Sequence, residues 1–206
     1  MQKKILITGG SGLLAVNWAL SIRNNFTVTL LLHHKTISIK GVDSDTMSLD
    51  SVEECNAALM KHRPDIVIHT AGLTDVDKCE FNIDLAQEVN VDLTSNLSAA
   101  CNDHNVKLVH ISTDHLFSGN QELVTEESKP NPLNTYSKTK LQAEQQVLNI
   151  CKDALVIRTN FFGWGPKYRQ SFSDFILSNL RNNKSINLFL DVYFTPILID
   201  ELSSRT

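Results

Sequence analysis

Lys4-Ile-Leu-Ile-Thr-Gly-Gly-Ser-Gly-Leu-Leu-Ala15 decides the fold. Its first five residues are short, mostly β-branched and without polar alternation. That is the pattern of a strand buried on both faces, as in a parallel sheet. The glycines follow at once, and Gly10-x-Gly12-x-x-Ala15 has the spacing of the nucleotide-binding G-x-G-x-x-G/A turn. Such glycines let the backbone turn tightly and approach a pyrophosphate. The helix that opens next offers free N–H groups and the positive end of its dipole. Gly9, Gly10, Ser11, Gly12, Leu13 and Leu14 are therefore the candidate phosphate loop.

The rest of the chain repeats the strand-then-helix theme. Strands are expected at 4–8, 26–32, weakly at 41–47, then 65–69, 106–112, 154–158 and 185–190. Helices are expected at 13–24, 51–62, 84–104, 134–151 and 171–182. Apolar runs separated by helices predict an α/β, Rossmann-type doubly wound parallel sheet of about seven strands, with helices on both faces. The polar stretch 118–134, with Pro130 and Pro132, reads as a long loop. Long loops in compact domains are often functional.

The end of the second strand bears on which cofactor the loop would take. NAD sites usually place an acid there for the ribose hydroxyls. Here the chain reads His33-His34-Lys35, with no acid until Asp43. A lysine and two imidazoles favour the 2′-phosphate of NADP over NAD, with NAD left open.

Composition narrows the classes. The chain has 206 residues, 42% of them apolar, with a formal net charge of -4, so it presents no basic field for nucleic acid. No apolar run approaches membrane-spanning length. Cys55, Cys79, Cys101 and Cys151 share no C-x-x-C spacing and read as free thiols of a cytoplasmic protein. The seven histidines and four cysteines have no metal-ligand spacing, and no metal is expected. His69 and His110, at or near strand ends, read as packed, hydrogen-bonded side chains.

Two stretches carry candidate chemistry. The strand at 106–112 runs into Ser112-Thr113-Asp114-His115. Ligands of open parallel sheets bind at the carboxyl ends of strands, where such hydroxyls can hold a carbonyl oxygen. Downstream, Tyr136-Ser-Lys-Thr-Lys140 sets a tyrosine and a lysine one helical turn apart. A nearby ammonium favours the phenolate and brings the tyrosine toward useful acidity.

Four segments together resemble the extended short-chain dehydrogenase/reductases, in the branch that includes dTDP-4-dehydrorhamnose reductase. They are residues 8–15, 63–80 (Arg-Pro-Asp-Ile-Val-Ile-His-Thr-Ala-Gly-Leu-Thr-Asp-Val-Asp-Lys-Cys-Glu), 111–119 (Ile-Ser-Thr-Asp-His-Leu-Phe-Ser-Gly) and 132–144. The resemblance implies a catalytic set of Thr113, Tyr136 and Lys140. Tyr136 would give the proton, Thr113 would orient the substrate oxygen, and Lys140 would bind the nicotinamide ribose and tune the phenol. It implies cofactor contacts from Ala71, Gly72 and Thr74, and sugar contacts from Val76, Asp114, His115 and Phe161. His115 stands where the family often has tyrosine and related dehydratases a glutamate, which argues against dehydratase chemistry. Phe161 stands where tryptophan is common, with Trp164 three residues on.

The activity implied is NADP(H)-dependent reduction of the 4-keto group of a nucleotide-activated sugar. The alternatives are an epimerase that retains NAD and a non-catalytic dinucleotide-binding regulatory subunit. The partner expected is the nucleotide-sugar substrate, with a homodimer as the assembly to test. Family members run longer, so 1–190 is expected as the Rossmann domain and 191–206 as the start of an incomplete substrate-binding portion.

Overall fold

The computed structural model describes residues 2–120, 122–192 and 194–206. Its strands are β1 (Lys4–Thr8), β2 (Thr27–Leu32), β3 (Asp43–Thr46), β4 (Ile66–His69), β5 (Lys107–Thr113), β6 (Leu155–Phe162) and β7 (Pro196–Leu198). Its helices are α1 (Leu13–Ile22), α2 (Val52–His62), α3 (Val76–Phe81), α4 (Ile83–Gln87), α5 (Leu93–Asp103), α6 (Thr135–Ile150), α7 (Phe172–Arg181) and α8 (Ile199–Arg205). The strands form one parallel sheet in the order β3-β2-β1-β4-β5-β6-β7. Strand order reverses between β1 and β4, and ligands of such sheets bind beyond the strand ends at that crevice.

Alternation along each strand builds two cores. Ile5, Ile7, Leu30, Ile68, Val109 and Ile111 face α1 and α8, where Trp18, Ile199 and Leu202 are buried. Leu6, Leu31, Val67 and Leu108 face α2, α5 and α6, against Leu59, Leu97 and Val147. Helix starts are set locally. Ser51 with Glu54, Asn134 with Ser137 and Ser171 with Asp174 each close a reciprocal cap at an N-terminus. At the other end of α2, Arg63 turns left-handed at φ 46° just before Pro64, which cannot continue a helix.

Two expectations are corrected. The predicted strand at 185–190 is absent, and its Leu188, Phe189 and Leu190 are exposed. The seventh strand is Pro196–Leu198, because its register against Asn160–Phe162 offers the free edge of the sheet. Pro196, which has no N–H to give, starts that strand. β7 is paired to β6, and Ile199 and Leu202 lie in the α1 core. The helix expected over 84–104 is interrupted by a π-helical turn at Glu88–Asp92. Such turns often mark functional positions, and this one carries Asn90.

Candidate active site

The glycine turn lies where its sequence placed it. Gly9 has φ +65°, and a Cβ there would sit 2.8 Å from the backbone of Ala71. That close approach fuses the β1 loop to the loop after β4, bringing Gly9 beside Ala71, with Gly72 and Thr74 just beyond. Gly10 N donates to Leu31 O at 3.0 Å, and Gly12 N to Gly9 O at 2.8 Å. Leu14 is buried in the core under the loop, with Leu13 packed beside it, so these two residues present backbone rather than side chain. Side chains cap α2, α3, α4, α6 and α7, whereas the α1 N-terminus starts at Gly12 with no side-chain acceptor and no acid in its first turn. Its N–H groups are free for an anion, so the loop fits a dinucleotide pyrophosphate.

Asn90 fixes the second loop. Its Oδ1 accepts from Leu73 N at 2.7 Å, and its Nδ2 donates to Leu73 O at 3.1 Å and to Thr139 Oγ1 at 3.0 Å. This one amide ties the β4 loop, the π-helical turn and α6 together. Val76, the first residue of α3, follows Asp75, whose carboxylate caps that helix by accepting from Lys78 N at 2.9 Å.

Thr113 ends β5, and its hydroxyl accepts from His115 N at 3.2 Å. Tyr136, in the first turn of α6, meets the Thr113 hydroxyl, which favours its ionised form. The His115 ring lies edge-on to the Tyr136 ring, with centroids 6.0 Å apart. Asp114 accepts from Asn160 Nδ2 at 3.2 Å and lies beside the His115 ring. Thr113, Asp114, His115 and Tyr136 are thus together. Phe161 is not with them; it packs against the α1 core and pairs with Ile197 on β7. The alternation of β6 turns Phe161 to the opposite face, and Asn160 takes the place beside Asp114.

Lys140 is buried on α6. Its Nζ donates to Ile111 O at 2.7 Å and approaches His110 Nε2 at 3.2 Å. Burial lowers its pKa to about 8, against which the Glu144 carboxylate acts. The Tyr136 phenol is pushed up, chiefly by burial and also by the Asp114 charge. The lysine thus reaches to β5, where Ile111 O and His110 lie.

A polar layer backs this site. Thr8, His69 and His110 are register neighbours on three adjacent strands, and all three are fully buried. Thr94 gives its hydroxyl proton to Asn90 O at 2.8 Å, so it accepts from His69 Nε2–H at 2.9 Å. Thr8 takes Ala71 N at 3.4 Å and gives its own proton to His69 Nδ1 at 2.7 Å. His69 is therefore satisfied only as a neutral imidazole, and burial lowers its pKa to about 3. The stacked His110 ring is also held neutral by burial, beside Lys140 and His69, and its Nδ1 has no partner among the described residues. Beyond it, the buried Glu144 binds Arg158 through three contacts of 2.8 to 3.1 Å.

At the far wall, His33 and His34 are exposed after β2, and Lys35 lies over the Tyr168 ring. Tyr168 is a contact that motif reading gave no hint of.

This geometry agrees with the comparisons. The family described as RmlD substrate binding domain matches residues 3–206. The chain belongs to that family. It is 28% identical to a probable low-salt glycan biosynthesis reductase of Haloferax volcanii, over 97% of this chain and 68% of that one. It is 35% identical to dTDP-4-dehydrorhamnose reductase of Escherichia coli, over 70% of this chain and 48% of the other. It is also 31% identical to methionine adenosyltransferase 2 subunit beta of Mus musculus, over 91% of this chain and 56% of that protein. These alignments take in from about half to two thirds of each relative. A solved structure titled hypothetical dTDP-4-dehydrorhamnose reductase, from Sulfolobus tokodaii, superposes with a TM-score of 0.84 at 30% identity, covering 99% of this chain and 70% of that one. The Rossmann-type sheet and the resemblance to extended short-chain dehydrogenase/reductases are both borne out.

Proposed function

We propose that this chain binds NADP(H) and donates the proton in reduction of the 4-keto group of a nucleotide-activated sugar. The observation that carries the reading is a half-buried tyrosine set against a threonine hydroxyl, beside a glycine loop whose helix N-terminus is uncapped. When bound, the nicotinamide supplies the hydride. Gly9 to Gly12 and the first N–H groups of α1 would hold the pyrophosphate, and Lys35 the 2′-phosphate. Thr113 would orient the carbonyl oxygen. Burial keeps Tyr136 protonated at neutral pH, the state an acid needs to protonate that oxygen. Lys140, one turn further along the same helix, would carry a positive charge below about pH 8.

The relatives named as reductases support this activity. The reading is tested by NADPH oxidation with dTDP-4-keto-6-deoxy sugars. Tyr136→Phe is expected to lower turnover by about 10²- to 10⁴-fold with NADPH binding intact. Unchanged turnover would sink it. Similarity to a protein named as an adenosyltransferase subunit favours a second reading, a dinucleotide-binding regulatory partner. That reading expects cofactor binding without keto-sugar turnover. Tightly retained NAD, by contrast, would favour an epimerase.

A further inference from the structure

Between β6 and α7 the chain crosses from the substrate side of the sheet to the phosphate loop. The crossing is pinned throughout. Gly163 packs against Ile199, where a Cβ would come within 2.7 Å of that side chain. Asn17 Nδ2 donates to Trp164 O at 2.8 Å. Asp174 Oδ2 gathers Gly165 N at 2.7 Å, Ser171 N at 2.9 Å and Ser171 Oγ at 2.7 Å. Arg169 N closes a turn onto Pro166 O at 2.8 Å. The segment therefore delivers Tyr168 to one place.

There Tyr168 does two things at once. Its hydroxyl donates to Ser11 O of the phosphate loop at 2.9 Å. Its ring lies under the Lys35 ammonium, 3.9 Å from Nζ to the ring centroid. A ring face attracts a cation, and a lysine otherwise spreads over many rotamers in water. Lys35 is exposed and has no carboxylate partner among the described residues, so the ring is what holds its charge near the loop.

We infer that Tyr168 is a positioning residue for cofactor choice: anchored on Ser11, its ring presents Lys35 to the 2′-phosphate of NADP(H). This rests on the dinucleotide reading of the glycine loop and adds to it a residue outside the loop and outside β2. Among the described residues, the Tyr168 hydroxyl donates to Ser11 O and its ring faces Lys35. The ring acts on the 2′-phosphate through Lys35, so its loss is expected to weaken NADPH binding and spare NADH.

The test is calorimetric titration of the purified chain with NADPH and NADH, and with 2′,5′-ADP and 5′-AMP as fragments. For Tyr168→Leu, affinity for NADPH and 2′,5′-ADP is expected to fall about two- to fivefold, the size of an exposed cation–π contact, with NADH and 5′-AMP unchanged. Tyr168→Phe keeps the ring and should retain most of the preference. In a Lys35→Met background, Tyr168→Leu should be silent. Equal loss for both cofactors would make the residue merely structural. Tighter binding of both would make the ring an obstruction. Either result overturns the inference, as does an unchanged NADPH affinity in Tyr168→Leu. Failure of the unmodified chain to bind any of the four ligands overturns the dinucleotide reading itself, a separate outcome.

Discussion

Acid should weaken this fold through His69 in a way one substitution can remove. The imidazole is buried between Thr8 and Thr94, whose hydroxyls are committed to the neutral tautomer. Its folded pKa is about 3 against an ordinary 6.5. A group depressed on folding binds its proton first in the unfolded state, so stability is lost as pH falls below 6.5 toward 3. At pH 5 the gap is about 1.5 pH units, and at about 1.4 kcal/mol per unit the loss is ~2 kcal/mol relative to neutrality. With a urea m-value of about 2 kcal/mol/M, that lowers the midpoint by about 1 M. His69→Gln should cost about 1 kcal/mol at pH 7 for its altered hydrogen bonds. It should lose less than the wild type between pH 7 and pH 5. The remaining acid response, with His110 shifted in the same direction, is common to both proteins and cancels in the difference. Urea titrations at the two pH values measure it. Parallel losses in wild type and His69→Gln would refute the claim that the layer is locked neutral.

Two further outcomes follow from the same buried polar layer. Lys140 has a folded pKa of about 8 against an ordinary 10.5, so the unfolded chain binds more protons between those values and stability rises with pH there. Lys140→Met should abolish that rise, worth up to about 3 kcal/mol, in urea titrations from pH 8 to 10; a variant with the same slope would contradict it. Arg158→Met leaves the Glu144 carboxylate buried without its partner and should destabilise by about 3 kcal/mol, much of it recovered in the Glu144→Leu, Arg158→Met double variant. Additive losses in that cycle would mean the pair is not coupled.

How much of the site was legible depended on whether a residue acts locally. The glycine turn announces itself, since Gly9 needs a positive φ and close backbone approach, and both follow from the missing side chain. The places of Thr113 and Tyr136 were legible because a strand end and a helix start have local signatures. The face Phe161 takes was not legible, because the side a strand residue takes depends on register with β5 and β7, not on its own identity. The 185–190 run looked like a strand by composition, yet the sheet edge was filled by Pro196–Leu198.

Lys140 shows the limit most clearly. Its spacing from Tyr136 fixed a shared helix face, but the partner of a buried ammonium is whichever acceptor the packing supplies. Here that is Ile111 O and His110, carried on β5. The sequence by itself determined the alternating strands and helices, the phosphate loop, and the tyrosine at the head of α6, because periodicity, glycine and capping are properties of neighbouring residues. Tertiary structure alone decided the neutral histidine layer, the downward turn of Lys140 and the meeting of Tyr168 with Ser11 and Lys35. Those depend on groups far apart in the chain whose desolvation and hydrogen bonding exist only once the sheet has formed.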